Sequence, residues 1–591
     1  MSYQPRYTNL IDLFRESCRK YADWPLFGTH EAHGFRWTTY REFEAMVAQA
    51  RAGLAALGVG RGDRVAVISN NRLEWAVCAY ATYTRAAAYV PMYEAQLDRD
   101  WQFILHDSGA KVCLVAGEAV EKRIRNVQCD LPELQHVINL DGPAYRELLR
   151  HPAETAPEPT VAGNDEVAAI IYTSGTTGNP KGVRLTTFNL AATSSALLEV
   201  APVKEGDRSL AFLPWAHVFG GCVELNTLIA IGGSLAICDN TDKLLAYLPE
   251  AQPTMMFAVP RIWNRIYDGV RKQVAERPAA VQRIFEAGLS AKRKHKRGEA
   301  LGIVERVALP LAERLIFSKV VARFGGKLRF AFSGAAALSP EVAQFIDNLG
   351  IQVYEGYGMT ESSGGTTANY PGRCKIGSVG VPIPGVALKL DSSAPGAQPG
   401  EGEILIYGNG VMAGYHNQPQ ATAECMTADG GLRSGDLGRI DADGFLFITG
   451  RVKELYKLSN GKYVAPAPLE EKLQLSTYIA QCVIYGADQT HNVALIIPDM
   501  VSLRSWAQGH GLPGGDRELL EHPRTRELLR KEIDSYSRDF KGYEAIHEFV
   551  LSAEELTPQN DMLTPTLKIK RRNVLAKYGD QLKALYRGAA A

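Results

Sequence analysis

The chain has 591 residues, of which 46% are hydrophobic and 22% are charged, a composition typical of a globular protein with several folding units. Its 65 Lys and Arg residues are balanced by 65 Asp and Glu residues. This balance provides no whole-molecule positive field, so we expect no nucleic-acid partner.

Targeting and membrane signals are weak along the sequence. Residues 1–6 lack the apolar core of a signal peptide. The most apolar stretch, residues 222–238, is interrupted by Glu224 and Asn226, so we expect no transmembrane segment. Nine cysteines are scattered without a CxxC pair, which favours reduced thiols over disulfides or a zinc site. These features predict a cytoplasmic protein.

The first 150 residues alternate between helical and strand patterns. Thr39 is expected to cap a helix, because apolar residues recur at helical spacing between Met46 and Leu57. A strand over 64–68, a helix over 73–83 and a strand over 88–91 are expected to follow. Strands that alternate with helices predict an α/β fold with mostly parallel sheets.

Two later changes in pattern suggest the domain organisation. Residues from about 262 to 322 are charged and helical in pattern, which predicts a helical insertion between sheet segments. A strand bounded by glycines over 444–450 precedes a region with its own α/β alternation. We therefore expect a large multi-layer N-terminal domain over 1–450 and a small C-terminal α/β domain over 451–591.

A strand ending at Tyr172 leads into a loop rich in glycine and hydroxyl groups. Glycines allow backbone N–H groups to approach an anion, and Lys181 adds a point charge suited to a polyphosphate. The loop matches neither the Walker A motif nor the GxGxxG turn. A polar turn with a surface lysine is the plainer alternative. The candidate phosphate-binding residues are Thr173, Ser174, Gly175, Thr176, Thr177, Gly178 and Lys181.

The string from Thr173 to Val183 resembles the signature loop of the adenylate-forming superfamily. This superfamily contains acyl-CoA synthetases, the adenylation domains of peptide synthetases, and luciferases. The resemblance extends from Trp37 to Val574 and implies that the loop holds the β- and γ-phosphates of ATP. It also implies that the small C-terminal domain is mobile.

Further segments resemble the family's motifs in the expected order. Residues 214–220 resemble the segment that places a histidine beside the acyl carboxylate, which gives His217 a catalytic role. Many long-chain enzymes carry Glu-Arg where this chain has Gly220 and Gly221, so this segment does not assign the acid. A histidine packed in the core is the alternative.

Two segments resemble the nucleotide site itself. Residues 333–338 resemble the turn that lines the adenine, and the residues concerned are Gly334, Ala335 and Ala336. A small-residue packing turn is the alternative there. In residues 356–361 the resemblance assigns Tyr357 and Gly358 to adenine binding, Thr360 to the α-phosphate and Glu361 to Mg²⁺. We assign Thr173 to Mg²⁺ as a second ligand.

The remaining motifs lie near the expected domain boundary and beyond it. Asp436 resembles the ribose-binding aspartate, since a carboxylate can accept hydrogen bonds from both hydroxyls. Arg451 matches a residue that reaches the nucleotide, Lys453 the hinge, and Gly461 the loop at the coenzyme A tunnel. The alternatives are an ordinary turn at Asp436 and an exposed charged linker after Gly450.

The C-terminal segment 563–572 resembles the family's lysine motif. Its Lys-Ile-x-Arg-Arg pattern favours Lys568 as the functional lysine, and Lys570 is the rival assignment. A solvated run of charges is the alternative. The four residues to which we assign catalysis are His217, Thr360, Glu361 and Lys568.

Within the superfamily, the helical insertion and the closing segment of this chain most resemble those of the long-chain fatty acid–CoA ligases. The resemblance implies that ATP activates a fatty acid as an acyl-adenylate and that coenzyme A then accepts the acyl group. Two alternatives stay open: a ligase with another acid or a carrier-protein acceptor, and a nucleotide-binding regulator without catalysis. The basic cluster 292–297 could contact the inner membrane surface weakly, or be a solvated helix face.

Overall fold

The computed structural model describes residues 3–160, 162–173, 179–512 and 514–587. A large N-terminal domain is followed by a smaller C-terminal domain, both of the α/β class. The N-terminal strands are β1 (Pro25–Glu31), β2 (Gly34–Thr39), β3 (Arg64–Ile68), β4 (Ala88–Met92), β5 (Val112–Val115), β6 (His136–Asn139), β7 (Val167–Thr173), β8 (Lys181–Thr186), β9 (Arg208–Ala211), β10 (Ser234–Ile237), β11 (Met255–Ala258), β12 (Phe330–Ser333), β13 (Gln352–Tyr357), β14 (Thr367–Ala368), β15 (Val381–Pro382), β16 (Val386–Asp391), β17 (Gly402–Gly408), β18 (Leu432–Ile440) and β19 (Leu446–Arg451).

Helices cover the faces of these sheets. The N-terminal α-helices are α1 (Leu10–Lys20), α2 (Tyr40–Ala56), α3 (Leu73–Tyr83), α4 (Asp98–Ser108), α5 (Glu118–Val127), α6 (Pro143–Leu148), α7 (Thr187–Val200), α8 (Leu225–Ala230), α9 (Leu244–Ala251), α10 (Pro260–Ala275), α11 (Ala279–Lys296), α12 (Ile303–Ala312), α13 (Ser318–Ala322), α14 (Pro340–Asn348) and α15 (Pro419–Cys425). The start of α2 is fixed locally, because Thr39 accepts a hydrogen bond from the Glu42 N–H and the Glu42 carboxylate accepts one from the Thr39 N–H. The predicted cap at Thr39 is therefore confirmed.

Three mixed sheets with parallel strands build the core of the N-terminal domain. Their strand orders are β6-β5-β3-β4-β7-β8, β11-β12-β13-β14-β15 and β2-β1-β10-β9. The predicted β-α-β unit is confirmed, since β3 and β4 are parallel and α3 connects them. Strands β3, β4 and β12 are almost fully buried, as expected of strands covered on both faces.

A fourth sheet, in the order β16-β17-β18-β19, is antiparallel throughout. The predominance of parallel strands that we expected does not extend to this sheet. The connection from β17 to β18 carries α15, whereas β18 and β19 are linked by a short turn that contains Gly444, which has φ +84°. A connection as short as the one between β18 and β19 permits only antiparallel pairing.

Helices α10 to α13 form one long excursion between β11 and β12. A π-helical segment, Glu313–Phe317, joins α12 to α13 without a break. The buried residues Phe285, Ala312 and Phe317 pack the excursion onto the main core. The excursion therefore leaves the parallel sheet at one strand and returns at the neighbouring strand.

The C-terminal domain contains a two-stranded sheet, a three-stranded sheet and five helices. The two-stranded sheet pairs β20 (Tyr456–Lys457) with β21 (Tyr463–Val464), and the three-stranded sheet contains β22 (Ile479–Tyr485), β23 (Asn492–Pro498) and β24 (Ile546–Leu551). The helices are α16 (Pro466–Leu473), α17 (Met500–Gly509), α18 (Asp516–Glu521), α19 (Pro523–Tyr536) and α20 (Arg571–Arg587). Ion pairs between Arg99 and Asp561, and between Lys472 and Glu341 at 3.9 Å, join the two domains. Within the described ranges, no helix has the length and apolar character needed to cross a bilayer.

Candidate active site

The two ends of the glycine-rich loop are held by a β-hairpin. Strands β7 and β8 are antiparallel, and Thr173 lies opposite Lys181 in their register. The Thr173 hydroxyl is 3.5 Å from the Lys181 carbonyl oxygen. Five of the predicted phosphate-binding residues lie outside the described residues: Ser174, Gly175, Thr176, Thr177 and Gly178. The hairpin thus fixes where the loop begins and ends.

Lys181 connects this hairpin to the predicted metal ligand through an aromatic ring. Its Nζ lies 5.0 Å from the centroid of the Tyr415 ring, within cation–π range. The Tyr415 hydroxyl donates a hydrogen bond of 2.8 Å to Oε1 of Glu361. The base of the loop and the Glu361 carboxylate therefore belong to one site.

Thr360 and Glu361 occupy a short 3₁₀ turn that follows β13. Both are largely buried, at 6% and 8% exposure. Burying a polar side chain costs free energy unless it has a binding partner. Gly358 allows the chain to enter this turn, because a Cβ there would stand 2.3 Å from the Gly364 carbonyl oxygen. Only glycine fits that approach.

A hydrogen-bonded group joins Tyr357 at the end of β13, Asp436 within β18 and Arg451 at the end of β19. The Tyr357 hydroxyl donates to Oδ2 of Asp436 at 2.7 Å, and Nε of Arg451 donates to Oδ1 at 2.7 Å. The charge of Asp436 raises the pKa of Arg451, while burial acts in the opposite direction. Burial and Asp436 together hold the pKa of Tyr357 well above its usual value. The group is therefore a neutral tyrosine beside an ion pair.

An apolar cavity with a volume of about 50 Å³ opens beside this group. Four of the residues predicted to bind nucleotide line it, namely Gly334, Ala335, Tyr357 and Gly358. Ala335 has φ +70°, a strained conformation for a residue with a Cβ that is often found at functional sites. The predicted adenine residue Ala336 is exposed to solvent and is not part of the cavity wall.

His217 also lines the cavity, which places it between the polar group and the apolar wall. Its Nδ1 accepts a hydrogen bond of 3.2 Å from the Phe219 N–H, so the neutral ring carries its proton on Nε2. Burial, aided by the charge of Lys568, lowers the pKa of His217 to about 4. A neutral imidazole that can donate from Nε2 is therefore the form present near pH 7.

Lys568 lies at the tip of a tight turn in the C-terminal domain. Leu563 and Ile569 are bridged across the turn, and the Thr564 side chain accepts from the Lys568 N–H at 3.0 Å. Leu567, which directly precedes the lysine, has φ +62°. A residue with a Cβ in this left-handed region is strained, which is common where a turn must present a particular side chain.

The electrostatic surroundings of Lys568 place it in the cleft between the domains. Its side chain is accessible to solvent, yet the surrounding protein displaces bulk water and lowers its pKa. Arg451 lowers this pKa further, whereas Asp436 and Glu361 raise it. A cation from the small domain therefore acts on the same carboxylates that bind Tyr357 and Tyr415.

The structure separates the two candidate lysines of the C-terminal motif. Lys570 donates a hydrogen bond of 2.6 Å to Oδ1 of Asp561, and Arg99 of the N-terminal domain also pairs with Asp561. Lys570 thus contributes to the contact between the domains, and Lys568 is the lysine directed to the cleft.

Lys453 and Gly461 are not brought to the cavity wall in this arrangement. Lys453 is exposed in a 3₁₀ turn that follows β19 directly. Gly461, with φ +85°, is exposed in the turn between β20 and β21. Lys453 therefore lies on the connection between the domains, and Gly461 lies in the first hairpin of the C-terminal domain.

Sequence reasoning missed Tyr415 and the residues that position Asp436. The Glu403 carboxylate accepts hydrogen bonds from the Gly435 N–H at 3.1 Å and from Arg433 at 2.6 Å. It therefore fixes the part of β18 that carries Asp436. No local pattern could have identified Tyr415 or Glu403, because each contacts a residue more than thirty positions away along the chain.

The surroundings of Glu361 fit a magnesium ion held mainly by a nucleotide. Mg²⁺ usually takes one or two protein carboxylates and completes its shell with phosphate oxygens and water. Tyr415 binds one Glu361 oxygen and so orients the carboxylate. Within the described part of the chain, no cluster of three or more potential ligands forms a metal cage of its own.

Solved structures share this fold. The adenylation domain of the carboxylate reductase from Mycobacterium chelonae has a TM-score of 0.79 at 22% identity, covering 99% of this chain and 92% of that chain. An anthranilate–CoA ligase in complex with anthranoyl-AMP has a TM-score of 0.74 at 20% identity, covering 100% and 99%. The fold is that of the adenylate-forming enzymes.

Sequence comparisons give the family. The model of the AMP-binding enzyme family matches residues 14–416, and that of the AMP-binding enzyme C-terminal domain matches residues 454–590. A long-chain-fatty-acid–CoA ligase of Mycobacterium tuberculosis is 32% identical over 572 residues, covering 93% of this chain and 92% of the relative. A peroxisomal long chain acyl-CoA synthetase of Arabidopsis thaliana is 31% identical, covering 99% and 87%. The chain therefore belongs to the AMP-binding enzyme family.

Proposed function

We propose that the protein is an ATP-dependent long-chain-fatty-acid–CoA ligase. It activates the acid as an acyl-adenylate and passes the acyl group to coenzyme A, so that the products are acyl-CoA, AMP and pyrophosphate. The observation that carries the proposal is the convergence of Lys568 from the small domain with Asp436, Glu361 and His217 beside an apolar cavity. The names of the relatives support the same chemistry.

We assign the polar group around Asp436 to the nucleoside. Asp436 accepts hydrogen bonds from the ribose hydroxyls, and Arg451 and Tyr357 hold the carboxylate in place. The adenine lies on Tyr357 and against the turn at Gly334. The hairpin from Thr173 to Lys181 holds the phosphates, and Glu361 with Thr173 would hold Mg²⁺, which neutralises phosphate charge when bound.

In the first step, a carboxylate oxygen of the acid attacks the α-phosphorus of ATP and pyrophosphate leaves. The reaction requires little covalent participation by the protein, so positioning and charge stabilisation account for most of the acceleration. Thr360 and Lys568 stabilise the α-phosphate, and Lys568 bridges it to the acid. His217 donates from Nε2 to the acid and thereby orients it.

In the second step, the sulfur of coenzyme A attacks the acyl carbonyl carbon, the thiol loses its proton and AMP leaves. The small domain, over 451–591, turns on Lys453, which withdraws Lys568 and brings the loop at Gly461 to the pantetheine tunnel. The exposed position of Gly461 while Lys568 faces the cleft supports such an alternation. None of the nine cysteines is needed as a nucleophile.

The apolar wall of the cavity is the basis for assigning a fatty acid. The side chains of Leu197, Val203, Val223 and Phe257 line it, and such a surface is favourable for a hydrocarbon chain because it removes the chain from water. We place the carboxylate at His217 and the chain toward these side chains.

A panel of acids of increasing chain length tests the proposal. We expect AMP and pyrophosphate release, and acyl-CoA formation with free coenzyme A, to be fastest with long-chain fatty acids. If AMP release occurs but free coenzyme A yields no thioester, a carrier-protein acceptor replaces this proposal. If no acid gives pyrophosphate release, the protein is not a ligase.

A further inference from the structure

The helical excursion exposes an apolar stripe to solvent. Its side chains are Ile303, Val304, Val307, Leu311 and Leu315, with exposed fractions of 84%, 72%, 61%, 41% and 44%. Four of them are spaced four residues apart and therefore lie on one face of α12 and the π-helical segment. Contiguous exposed apolar residues of this kind usually mark an interaction site.

The charge around this apolar stripe is strongly positive. Residues 292–327 contain ten Lys and Arg residues and three Glu residues, in a chain whose charges balance overall. Two of the glutamates are already neutralised by lysines of α11, since Lys294 pairs with Glu305 at 2.9 Å and Lys292 pairs with Glu313 at 2.5 Å. Exposed basic residues between α12 and the end of α13 therefore set the local charge, and they are Arg306 on α12, Arg314 in the π-helical segment, Lys319 on α13 and Arg323 directly after α13.

The stripe lies on the chain segment that connects two walls of the substrate cavity. The excursion leaves β11 just after Phe257 and returns to β12 just before Phe332, and both of these side chains line the cavity. The buried face of the excursion packs into the main core through Ala312 and Phe317. The stripe and the cavity wall are thus parts of one continuous segment.

We propose that the apolar stripe docks the protein on a membrane surface that contains anionic lipids. Apolar side chains flanked by lysine and arginine match the boundary between acyl chains and negatively charged headgroups. Positive charge around the stripe favours this surface over an uncharged apolar groove of another protein. The proposal rests on the proposed function in one respect, because a long-chain fatty acid is dissolved in such membranes.

Vesicle sedimentation with the full-length protein tests the docking. We expect wild-type protein to sediment with vesicles that contain phosphatidylglycerol, at least about tenfold more strongly than with phosphatidylcholine alone. The double variant Val307→Glu and Leu311→Glu should lose about tenfold or more of this binding, because it places charge in the apolar contact. Arg314→Gln with Arg323→Gln should weaken binding to the anionic vesicles and leave binding to the neutral ones unchanged.

Val501→Glu is the matched control, since Val501 is an apolar residue with 75% exposure on α17. It should bind as the wild type does. The proposal is overturned if wild-type protein stays in the supernatant with both vesicle types, or if the double variant sediments normally. It is also overturned if wild-type protein self-associates in solution and the double variant does not, because the stripe is then an interface between copies. Release of AMP with fatty acid in vesicle-free solution, measured on the same preparations, tests the proposed function separately.

Discussion

The Tyr415 hydroxyl donates a hydrogen bond of 2.8 Å to the Glu361 carboxylate, although 54 residues separate the two in the sequence. The ring of the same tyrosine lies 5.0 Å from Nζ of Lys181. Tyr415 therefore orients the candidate magnesium ligand and the candidate phosphate-binding lysine at once.

Tyr415→Phe keeps the ring and removes the hydrogen bond to Glu361. We expect adenylation to slow by about tenfold or more, the effect of losing one hydrogen bond to a charged group, and the Mg²⁺ concentration that gives the half-maximal rate to rise. Glu361→Gln should raise that concentration further, since the ligand charge is lost. Pyrophosphate release over a Mg²⁺ titration measures both. An unchanged Mg²⁺ dependence in Glu361→Gln contradicts its role as a metal ligand.

Replacing Lys568 separates the two half-reactions. Lys568→Ala should slow adenylation by at least about 10²-fold, comparable with the loss of one transition-state donor, and should spare thioester formation from supplied acyl-AMP. Lys570→Ala is the matched comparison, because Lys570 is paired with Asp561 and should cost less than about tenfold in adenylation. Equal loss of both half-reactions in Lys568→Ala counts against the assignment.

The group around Asp436 predicts different outcomes for its members. Asp436→Asn should raise KM for ATP by about tenfold or more, since it removes a ribose acceptor and leaves Arg451 without its partner. Tyr357→Phe keeps the stacking surface and loses one hydrogen bond, so the rise in KM should be smaller. Initial rates over an ATP titration distinguish them, and the opposite ranking contradicts the arrangement.

If the small domain rotates about Lys453, a change at this hinge should impair thioester formation and spare adenylation, which is the reverse of the effect expected for Lys568→Ala. Lys453→Pro fixes φ and should slow thioester formation from acyl-AMP while adenylation continues. Lys453→Ala is the control, because it removes the charge and keeps the backbone freedom. If the proline variant forms thioester at the normal rate, the domain does not pivot at this residue.

Glu224 should make the stability of the N-terminal domain depend on pH. Burial raises the pKa of this glutamate from its ordinary value of 4.5 to about 8, so between these pH values the folded state holds a proton that the unfolded state has released. Stability from this group is therefore greatest below about pH 4.5 and is lost as pH rises to about 8, by up to about 5 kcal/mol.

Glu224→Gln removes this charge and should be more stable than the wild type at pH 9, with a smaller difference at pH 6. The Ser209 hydroxyl, which donates to Glu224 at 2.5 Å, can still donate to the glutamine oxygen. Thermal unfolding midpoints at both pH values provide the measurement, and Glu527→Gln on the exposed surface of α19 is the control. A pH-independent difference between Glu224→Gln and wild type disproves the linkage.

The elements that sequence patterns predicted well are those with local causes. The cap at Thr39 and the strand–helix–strand unit over 64–92 depend on residues close together in the sequence. The antiparallel sheet β16-β17-β18-β19 was not predicted, because the pattern within each strand does not show which strands pair or in which direction. The family's motifs identified Tyr357, Asp436 and Arg451, which the structure brings into one hydrogen-bonded group.

Contacts between distant parts of the chain account for what was missed. Tyr415 and Glu403 act through tertiary contacts that no spacing rule encodes. The sequence pattern favoured Lys568 over Lys570, but it carried neither the turn at Leu567 nor the pairing of Lys570 with Asp561. The exposed stripe on α12 likewise becomes visible only when the opposite face of the helix is seen to be buried.

The ion pairs that join Arg99 to Asp561 and Lys472 to Glu341 involve partly exposed side chains. Such pairs each stabilise a contact by about 1 kcal/mol or less and are screened by salt. These two ion pairs consequently contribute little to the free energy that holds the small domain in this orientation. Occupancy of the cleft, and the ionic strength of the medium, can then decide how the population divides between orientations.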